Sequence, residues 1–322
     1  MNIKKLTALL CAVVMVLSLA ACGSDSGDKA SGSKHYTVGI CQLVQHDAHD
    51  AATKGFRDAI TDALGAENVT FDEQNAAGDT PTCATICNGF VSSGVDLILA
   101  NATGALQAAA AATKDIPILG TAVTEYGVAL GIGNFSGTVG GNISGTSDLA
   151  PLDQQAAMIT ELFPDAKNVG IIYCSGEPNS VYQADVVKAA LEKAGCTVTI
   201  YTFADTNDVV SVTGTASDAN DVLYVPTDNT AASCAEAIKG AATKPIVAGE
   251  EGICKGCGVA TLSIDYYELG RTTGEMAVKI LKGEADVSTM PIEYYPNPVK
   301  KYNPEMATAY NLTIPSDYAA IG

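Results

Sequence analysis

The chain has 322 residues, of which 47% are hydrophobic, and its formal net charge at pH 7 is −18. An acidic surface of this kind repels nucleic acid and anionic lipid, which argues against nucleic-acid binding. The length exceeds what one ordinary hydrophobic core covers, so we expect two domains.

The N-terminus has the pattern of an export signal. A basic start at Lys4 and Lys5 precedes an apolar run from Leu6 to Ala20, which is too short for a comfortable membrane span. The residues LAAC at 19–22 also resemble a bacterial lipobox. We therefore expect a signal peptide over 1–21, a diacylglycerol on Cys22, and a Gly/Ser-rich flexible tether over 22–35. An ordinary signal peptide with a chance cysteine is the alternative.

Strand-length apolar runs alternate with helix-length amphipathic runs through the first half of the chain. Helices are predicted over 51–64, after Asp79 with Thr80 as the N-cap, and in the alanine-rich segment that follows residue 101. Strands are predicted over 36–43, 69–71, 97–100 and 118–121. This order of elements is typical of β-α units with a parallel sheet.

The same alternation begins again after residue 150. Helices are predicted over 154–162, 179–194 and 266–282, and strands over 168–173, 198–203, 222–225 and 245–248. Two such series predict an α/β protein with two doubly wound parallel-sheet lobes. In open sheets of this type, ligands bind beyond the carboxyl ends of the strands.

The loops after these strand ends are rich in hydroxyl, amide and carboxylate groups. Free N–H groups at helix N-termini suit a ligand carboxylate, and Asp or Glu suits a ligand ammonium. Helix capping alone would also place Asp, Asn, Ser and Thr there, so capping is the alternative for each residue. The candidate ligand-binding residues are Gln45, His46, Asp47, Thr103, Thr121, Ala122, Asn179, Ser180, Asp228, Asn229, Glu250, Glu251 and Asp265.

No motif for catalysis or for a cofactor stands out. The chain lacks G-x-S-x-G, a P-loop and a complete Rossmann glycine pattern, so we predict no catalytic residues and no cofactor. His46 and His49 lack a third histidine ligand, and Cys254 and Cys257 lack a second C-x-x-C pair. We predict no metal site, and a local disulfide between these two cysteines remains the less favoured alternative.

Several strings along the chain carry a family resemblance. They are LVQHDA at 43–48, DLILA at 96–100, DIPILGTAVT at 115–124, GTSD at 145–148, PTDN at 226–229, GEEG at 249–252 and IDYYELG at 264–270. With them the chain resembles the substrate-binding proteins of ABC importers with the type I periplasmic-binding-protein fold, in the branch associated with tryptophan and other aromatic amino acids.

This resemblance implies a monomeric, membrane-anchored extracytoplasmic protein that passes a small solute to a permease and its ATPase subunits. It also implies three crossovers between the lobes, near 142–148, 261–265 and 290–294. Lobe one would hold 36–141 and 266–289, and lobe two would hold 149–260 and 295–322. Ligand would be enclosed between the lobes by hinge closure.

The chain has only two arginines, Arg57 and Arg271, both in predicted helices, so an arginine clamp on a ligand carboxylate is not expected. We expect Thr103, Thr121 and backbone N–H groups to bind the carboxylate instead. Asp228, Glu250 or Asp265 would then bind the ammonium, because a buried charge needs a partner. The alternatives are a branched-chain amino acid, sugar or nucleoside as the ligand and, more distantly, a surface-anchored α/β enzyme.

Overall fold

The computed structural model describes residues 34–322. The expected signal peptide, the lipid site at Cys22 and the tether up to residue 33 lie outside the described residues. Within 34–322, none of the helices combines the length and the apolar character needed to cross a membrane.

The described chain forms helices and strands in alternation. The strands are β1 (Tyr36–Gln42), β2 (Val69–Asn75), β3 (Leu97–Asn101), β4 (Ile118–Val123), β5 (Ile143–Ser147), β6 (Asn168–Cys174), β7 (Thr197–Phe203), β8 (Val222–Val225), β9 (Ile246–Ala248), β10 (Ala260–Ser263), β11 (Glu293–Tyr294), β12 (Val299–Tyr302) and β13 (Ala319–Ala320). The helices are α1 (Asp47–Leu64), α2 (Thr80–Ser93), α3 (Thr103–Ala112), α4 (Tyr126–Leu130), α5 (Leu152–Leu162), α6 (Pro178–Lys193), α7 (Val209–Ala219), α8 (Asn229–Ser233), α9 (Ala235–Ala241), α10 (Glu251–Cys257), α11 (Tyr266–Leu281) and α12 (Pro304–Ala309).

Two separate sheets define two lobes. The sheet of lobe one has the order β11-β5-β4-β3-β1-β2, and all of its strand pairs are parallel. The sheet of lobe two has the order β13-β12-β10-β9-β8-β6-β7, and only the β10–β12 pair is antiparallel. This is the α/β architecture of two parallel-dominated lobes that the alternating pattern predicts.

The chain passes between the two sheets three times, in the segments 148–151, 264–265 and 295–298. These segments adjoin the expected crossovers but differ from them in detail. Residues 143–147 form β5 and residues 293–294 form β11, both in the sheet of lobe one, while 260–263 form β10 of lobe two. The segment boundaries matter because Asp148 and Tyr266 follow directly after β5 and the second crossing.

The first and the last long helices, α1 and α11, pack very closely on lobe one. A Cβ at Gly55 would lie 2.0 Å from the carbonyl oxygen of Tyr267, and one at Gly270 would lie 2.0 Å from that of Ala52. Only glycine permits this approach of two backbones. It fixes the N-terminal ends of both helices, and with them His46 and Tyr266, at the boundary between the lobes.

The N-cap of α2 differs from the predicted residue, Thr80. The N-cap of α2 is Asp79, whose carboxylate accepts a hydrogen bond from the Thr82 N–H at 3.0 Å, and Thr80 is the first helical residue. Asp is a stronger N-cap than Thr, which explains the one-residue shift.

The apolar core is continuous across the boundary between the lobes. One buried cluster combines Ala122 and Leu269 of lobe one with Tyr173 and Val247 of lobe two. Side chains of the two lobes are therefore in contact, and the structure has a closed cleft.

Candidate functional site

Two alanines at the strand ends of lobe one have unusual backbone conformations. Ala102, directly after β3, has φ 93° and ψ 161°, a region that residues other than glycine rarely occupy. Ala122, near the end of β4, has φ 51°, and the pairing of β4 with β5 shifts register around it. Strain of this kind costs about 1–3 kcal/mol per residue and is concentrated at functional sites. Both alanines are buried, and Ala122 packs in the cluster that includes residues of lobe two.

The N-terminus of α3 begins beside this strained edge. No side chain caps it, and its first residue, Thr103, is buried. The first turn of a helix carries N–H groups without intrahelical partners and a partial positive charge. This end of α3 is therefore suited to a ligand carboxylate.

Thr121, which we expect from the sequence to bind the ligand carboxylate together with Thr103, makes its hydrogen bonds inside lobe one. Its hydroxyl lies 3.3 Å from that of Thr146 and accepts a hydrogen bond from Thr273 at 3.2 Å. The three hydroxyls form a buried network that ties α11 to the sheet of lobe one. We therefore assign Thr121 to the interior of lobe one rather than to the ligand.

Asp148 is the buried carboxyl group at the first crossing between the lobes. It is 5% exposed, and its Oδ2 accepts a hydrogen bond from the Tyr266 hydroxyl at 3.0 Å. Its Oδ1 is buried and has no hydrogen-bond partner. Burial raises the pKa of this carboxyl, and the hydrogen bonds from Tyr266 and Thr124 only partly oppose the rise. A buried acceptor without a partner is costly, which indicates a missing donor.

Asp228 and Glu250, both expected as ligand carboxylates, have all their oxygens occupied. Asp228 accepts hydrogen bonds from the Cys174 N–H at 2.8 Å and from the Ala231 N–H at 2.7 Å. Glu250 caps α10 by accepting from the N–H groups of Gly252 and Ile253. Burial raises the pKa of Asp228 to about 8 and that of Glu250 to about 7. Both residues fit the capping role better than the ligand role.

These three carboxyl groups form no ion pair among the described residues. None of the ion pairs within residues 34–322 includes Asp148, Asp228 or Glu250. The charges of Asp148 and Glu250 also disfavour each other, since the negative charge of Asp148 contributes to the raised pKa of Glu250. The electrostatic environment at Asp148 therefore favours a bound cation.

Asn179 lies in a second buried network, at the start of α6 in lobe two. Its amide donates to the carbonyl of Thr227 at 3.1 Å, as does the amide of Gln183 at 3.0 Å. Ser180 contributes its hydroxyl to the same group. The Oδ1 atom of Asn179 is buried without a partner, so this network can accept one more hydrogen bond.

His46 and Asn229 meet across the boundary between the lobes. Asn229 donates its N–H and its amide to the carboxylate of Glu177 and stands close to the His46 ring. Both ring nitrogens of His46 are buried without a hydrogen-bond partner. The ring stacks on that of His49, with 3.9 Å between the ring centroids.

The remaining expected residues lie outside the buried part of the cleft. Gln45 and Asp265 are exposed; Gln45 donates to Asp50, and Asp265 caps α11. Asp47 forms an exposed ion pair with Lys255 at 3.6 Å, and Glu251 pairs with Lys301 at 2.7 Å. The structure thus brings His46, Ala122 and Asn229 to the boundary between the lobes. Thr103 and Asn179 are buried in the first turns of α3 and α6, and Asp47, Glu250, Glu251 and Asp265 line a crevice along the boundary.

Open crevices lie along this boundary. One has a volume of about 260 Å³ and is bounded by Asp47 and Ala48 of α1, by Glu250 and Gly252, and by Tyr266. Two further crevices of about 420 Å³ each border the β1–α1 loop, one against 232–236 and the other against 176–177 and 229–230. Solvent therefore reaches the rim of the closed cleft from several sides.

The residues that sequence reasoning missed are Asp148 and Tyr266. Asp148 belongs to the GTSD string, which the family resemblance places in a crossover between the lobes. Tyr266 follows Asp265, and Asp265 is the one of the two that the sequence predicts as a ligand-binding residue. The signal was weak, because Asp148 directly follows a strand, β5, whose sequence ISGTS lacks the apolar run that marks the other strands of lobe one. The burial of both side chains could not be inferred without the packing of α1 against α11.

The eight cysteines within residues 34–322 are free thiols, and Cys254 and Cys257 are both fully buried on α10. Burial raises the pKa of each of these two thiols, so neither is a reactive thiolate. Within residues 34–322, no three side chains of His, Cys, Asp or Glu are arranged to hold a metal ion.

Comparison with known proteins supports a binding role for this cleft. Residues 37–318 match the family described as ABC transporter substrate binding protein. A tyrosine-binding protein of Clostridioides difficile is 37% identical over 302 residues, covering 90% of this chain and 87% of that protein.

Two solved structures differ in how well they superpose. An ABC domain from Streptococcus pneumonia in complex with L-Trp has a TM-score of 0.84 at 33% identity, covering 88% of this chain and 97% of its own. A ligand-free, open substrate binding protein from Clostridium difficile has a TM-score of only 0.69 at 38% identity, covering 89% and 99%. The better superposition on the less identical chain agrees with the closed cleft described above.

Proposed function

The chain belongs to the ABC transporter substrate-binding protein family and has the type I periplasmic-binding-protein fold, and on this premise we propose that it captures an aromatic amino acid between its two lobes. The observation that carries the proposal is the buried, unpartnered Oδ1 of Asp148 in a cleft that holds three buried carboxyl groups and no paired base. The named relatives, a tyrosine-binding protein and a structure with L-Trp, support the same ligand class.

Asp148 is the proposed partner of the ligand ammonium. An ammonium group bound at Oδ1 would donate the hydrogen bond that this oxygen lacks and would also neutralise the charge of the carboxylate. Tyr266 positions the carboxylate by donating its hydroxyl to the other oxygen at 3.0 Å. Because both groups are buried, the ion pair would form away from competing water, where it is stronger than at the surface.

The ligand carboxylate is proposed to bind at the N-terminus of α3. Thr103 and the adjacent free N–H groups supply donors there, and the strained conformations of Ala102 and Ala122 orient this edge towards lobe two. Asn179 of lobe two remains as a polar group that closes on the ligand from the opposite side, and His46 is a further polar group on the side of lobe one. Thr121, Asp228, Glu250, Glu251 and Asp265 are not part of the proposed contact set.

An aromatic side chain suits the apolar part of the boundary. Ala122 and Tyr266 from lobe one and Tyr173 from lobe two belong to a single buried apolar cluster. Ligand sites of this kind are mostly apolar with a few placed polar groups. Stacking on a tyrosine ring would add about 0.5–1.5 kcal/mol beyond the area buried.

The cellular setting completes the proposal. The protein is exported, anchored through a lipid on Cys22, and acts as a monomer that delivers its solute to a permease. The basic and apolar N-terminal pattern and the LAAC sequence support the anchor. The segments 148–151, 264–265 and 295–298 are the proposed hinges, because they are the places where the chain passes between the two sheets.

Isothermal titration calorimetry of the mature protein tests the proposed ligand class. We expect binding of L-tyrosine, L-tryptophan or L-phenylalanine, no heat from D-glucose, and weaker binding of L-leucine. Thermal stability should rise with the same ligands, by about 2.7 kcal/mol at a ligand concentration of 100 times Kd.

Three outcomes of these experiments would contradict the proposed function or change the ligand class. Binding of sugars or nucleosides alone would contradict the amino-acid assignment, and binding of L-leucine alone would move it to branched-chain amino acids. Chemical conversion of a bound ligand, followed by mass spectrometry, would contradict the role of a pure binder.

A further inference from the structure

His46 and His49 form an isolated pair of stacked imidazoles. Their ring centroids are 3.9 Å apart and the rings are tilted by 35°. The Nδ1 atom of His49 lies 2.9 Å from the carbonyl oxygen of Val44, so in the neutral ring this nitrogen donates the hydrogen bond. The His49 ring is 2% exposed, and neither nitrogen of His46 has a partner. Two neutral rings suit this arrangement, because a charged ring would be buried against the other ring.

The pair lies where α1 of lobe one meets lobe two. His46 and Asp47 border a crevice whose other wall is formed by 232–236 and by residues of α10. Asn229 of lobe two stands beside both rings. Opening of the cleft would therefore expose the rings to water.

Charged and titratable groups face the pair from each element that packs against it. They are Asp47 and Asp50 on α1, Glu177 before α6, Cys234 and Glu236 at α9, and Lys255 on α10, which is 3.6 Å from the Asp47 carboxylate. The carboxylates of Asp50, Glu177 and Asp47 attract a protonated ring. Burial outweighs that attraction, because it removes the charge from water.

We propose that the stacked pair His46–His49 is a pH-sensitive latch, which permits the closed cleft only while both rings are neutral, so that acidification opens the lobes and releases the ligand. This proposal rests on the proposed function, because it adds regulation to the same cleft. It concerns the energy of closing and not the identity of the ligand.

The sign of the effect follows from the two states of the cleft. In the closed form, burial lowers the pKa of His46, and burial together with the nearby His46 ring lowers the pKa of His49 well below its usual value. In the open form, both rings are solvated and should titrate near the usual value of about 6.5. Above that pH both states hold neutral rings and closing is unaffected. Below it the open form takes up protons that the closed form excludes, so affinity falls as the pH falls.

The affinity for the amino acid at pH 7.5 and pH 5.5 tests the latch. Each ring that must lose a proton on closing contributes about tenfold, so with both rings the wild-type Kd should rise by up to about a hundredfold between these pH values. In the double variant His46→Gln, His49→Leu the same ratio should fall below about threefold. The remaining change would come from Asp148, whose carboxylate is present in every variant. His35→Gln is the matched control, because His35 lies at the start of β1, away from the cleft.

Failure of the latch and failure of the proposed function give different results. Binding at pH 7.5 with an unchanged pH ratio in the double variant would overturn the latch alone. Absence of any amino-acid binding at pH 7.5 would overturn the proposed function, and the latch would then be tested by nuclear magnetic resonance. The chain has only three histidines, so each ring can be assigned by its variant. Ring pKa values at or above about 6.5 for both His46 and His49 in the closed form would overturn the latch.

Discussion

Two groups of buried carboxylates look alike in the sequence but differ in the structure. Asp228 and Glu250 follow strands of lobe two, and their oxygens are occupied by backbone N–H groups of the next helices. Asp148 follows a strand of lobe one at the crossing, and one of its oxygens has no partner.

The difference separates capping from binding. In a carboxylate that caps a helix, both oxygens already accept from backbone N–H groups of its own lobe, so neither oxygen needs a ligand donor. A buried carboxylate with one oxygen that has no hydrogen-bond partner, as in Asp148, can accept from an external donor. The oxygen without any hydrogen-bond partner, rather than burial alone, is the reason for proposing Asp148 as the ligand group.

The largest expected effect is the loss of affinity in Asp148→Asn. Removing one partner of a buried charge pair costs about 2–5 kcal/mol, so the Kd for the amino acid should rise by roughly 30-fold or more. Thermal stability without ligand should not fall, because the variant removes a buried negative charge that has no ion-pair partner. Titration calorimetry and thermal unfolding measure the two quantities, and Asp165→Asn, on an exposed loop, is the control.

Asp228→Ala should show the opposite pattern. It removes the acceptor for two buried N–H groups, those of Cys174 and Ala231, and should lower the free energy of unfolding by about 1–3 kcal/mol. The Kd of the folded protein should change by less than about threefold, since no ligand contact is lost. Asp228→Asn, which keeps an acceptor oxygen, should lose less stability. A large affinity loss with little change in stability would place Asp228 in the ligand site after all.

Tyr266→Phe tests the positioning of Asp148. Loss of the 3.0 Å hydrogen bond should weaken binding by about 1–1.5 kcal/mol, or roughly tenfold, through a less well oriented carboxylate. The effect should disappear in the Asp148→Asn background. Equal losses in both backgrounds would show that Tyr266 acts on the ligand independently of Asp148.

The smallest effect concerns the pH dependence of stability without ligand. Burial raises the pKa of Asp228 to about 8 and of Glu250 to about 7, so between pH 6.5 and 8 the folded state holds protons that the unfolded state has lost. Stability should therefore fall as the pH rises through this window, on the order of 1 kcal/mol. Denaturant unfolding at several pH values measures the slope, and Asp228→Asn should flatten it. A slope of the opposite sign would contradict the assignment of raised pKa values.

The fold was predictable because its signals are local. Strand-length apolar runs such as 97–100 and 168–173 lie between helix-length amphipathic runs, and such alternation has few structural solutions. The end of α6 was predictable in the same way, because Gly195 has the positive φ of 94° expected of a glycine after a helix.

The site was predictable only in part, because its decisive features depend on contacts between distant segments. The strand-end rule predicts His46, Thr103, Ala122 and Asn179, which remain candidates for ligand contact. It could not tell that the Thr121 hydroxyl faces α11, since that depends on Thr273, which is 152 residues away. Nor could it select Asp148 over Asp265, because both follow a strand and what separates them is burial: Asp148 is buried and Asp265 is exposed.

The central claim is that Asp148 binds the ligand ammonium, and a double-mutant cycle tests it most directly. L-tyrosine and its deaminated analogue 3-(4-hydroxyphenyl)propionate would be titrated calorimetrically into wild type and into Asp148→Asn. If the ammonium and the carboxylate are partners, removing either should cost about as much as removing both, with a coupling energy of about 1.5 kcal/mol or more. Strictly additive losses would contradict the claim and place the ammonium elsewhere in the cleft.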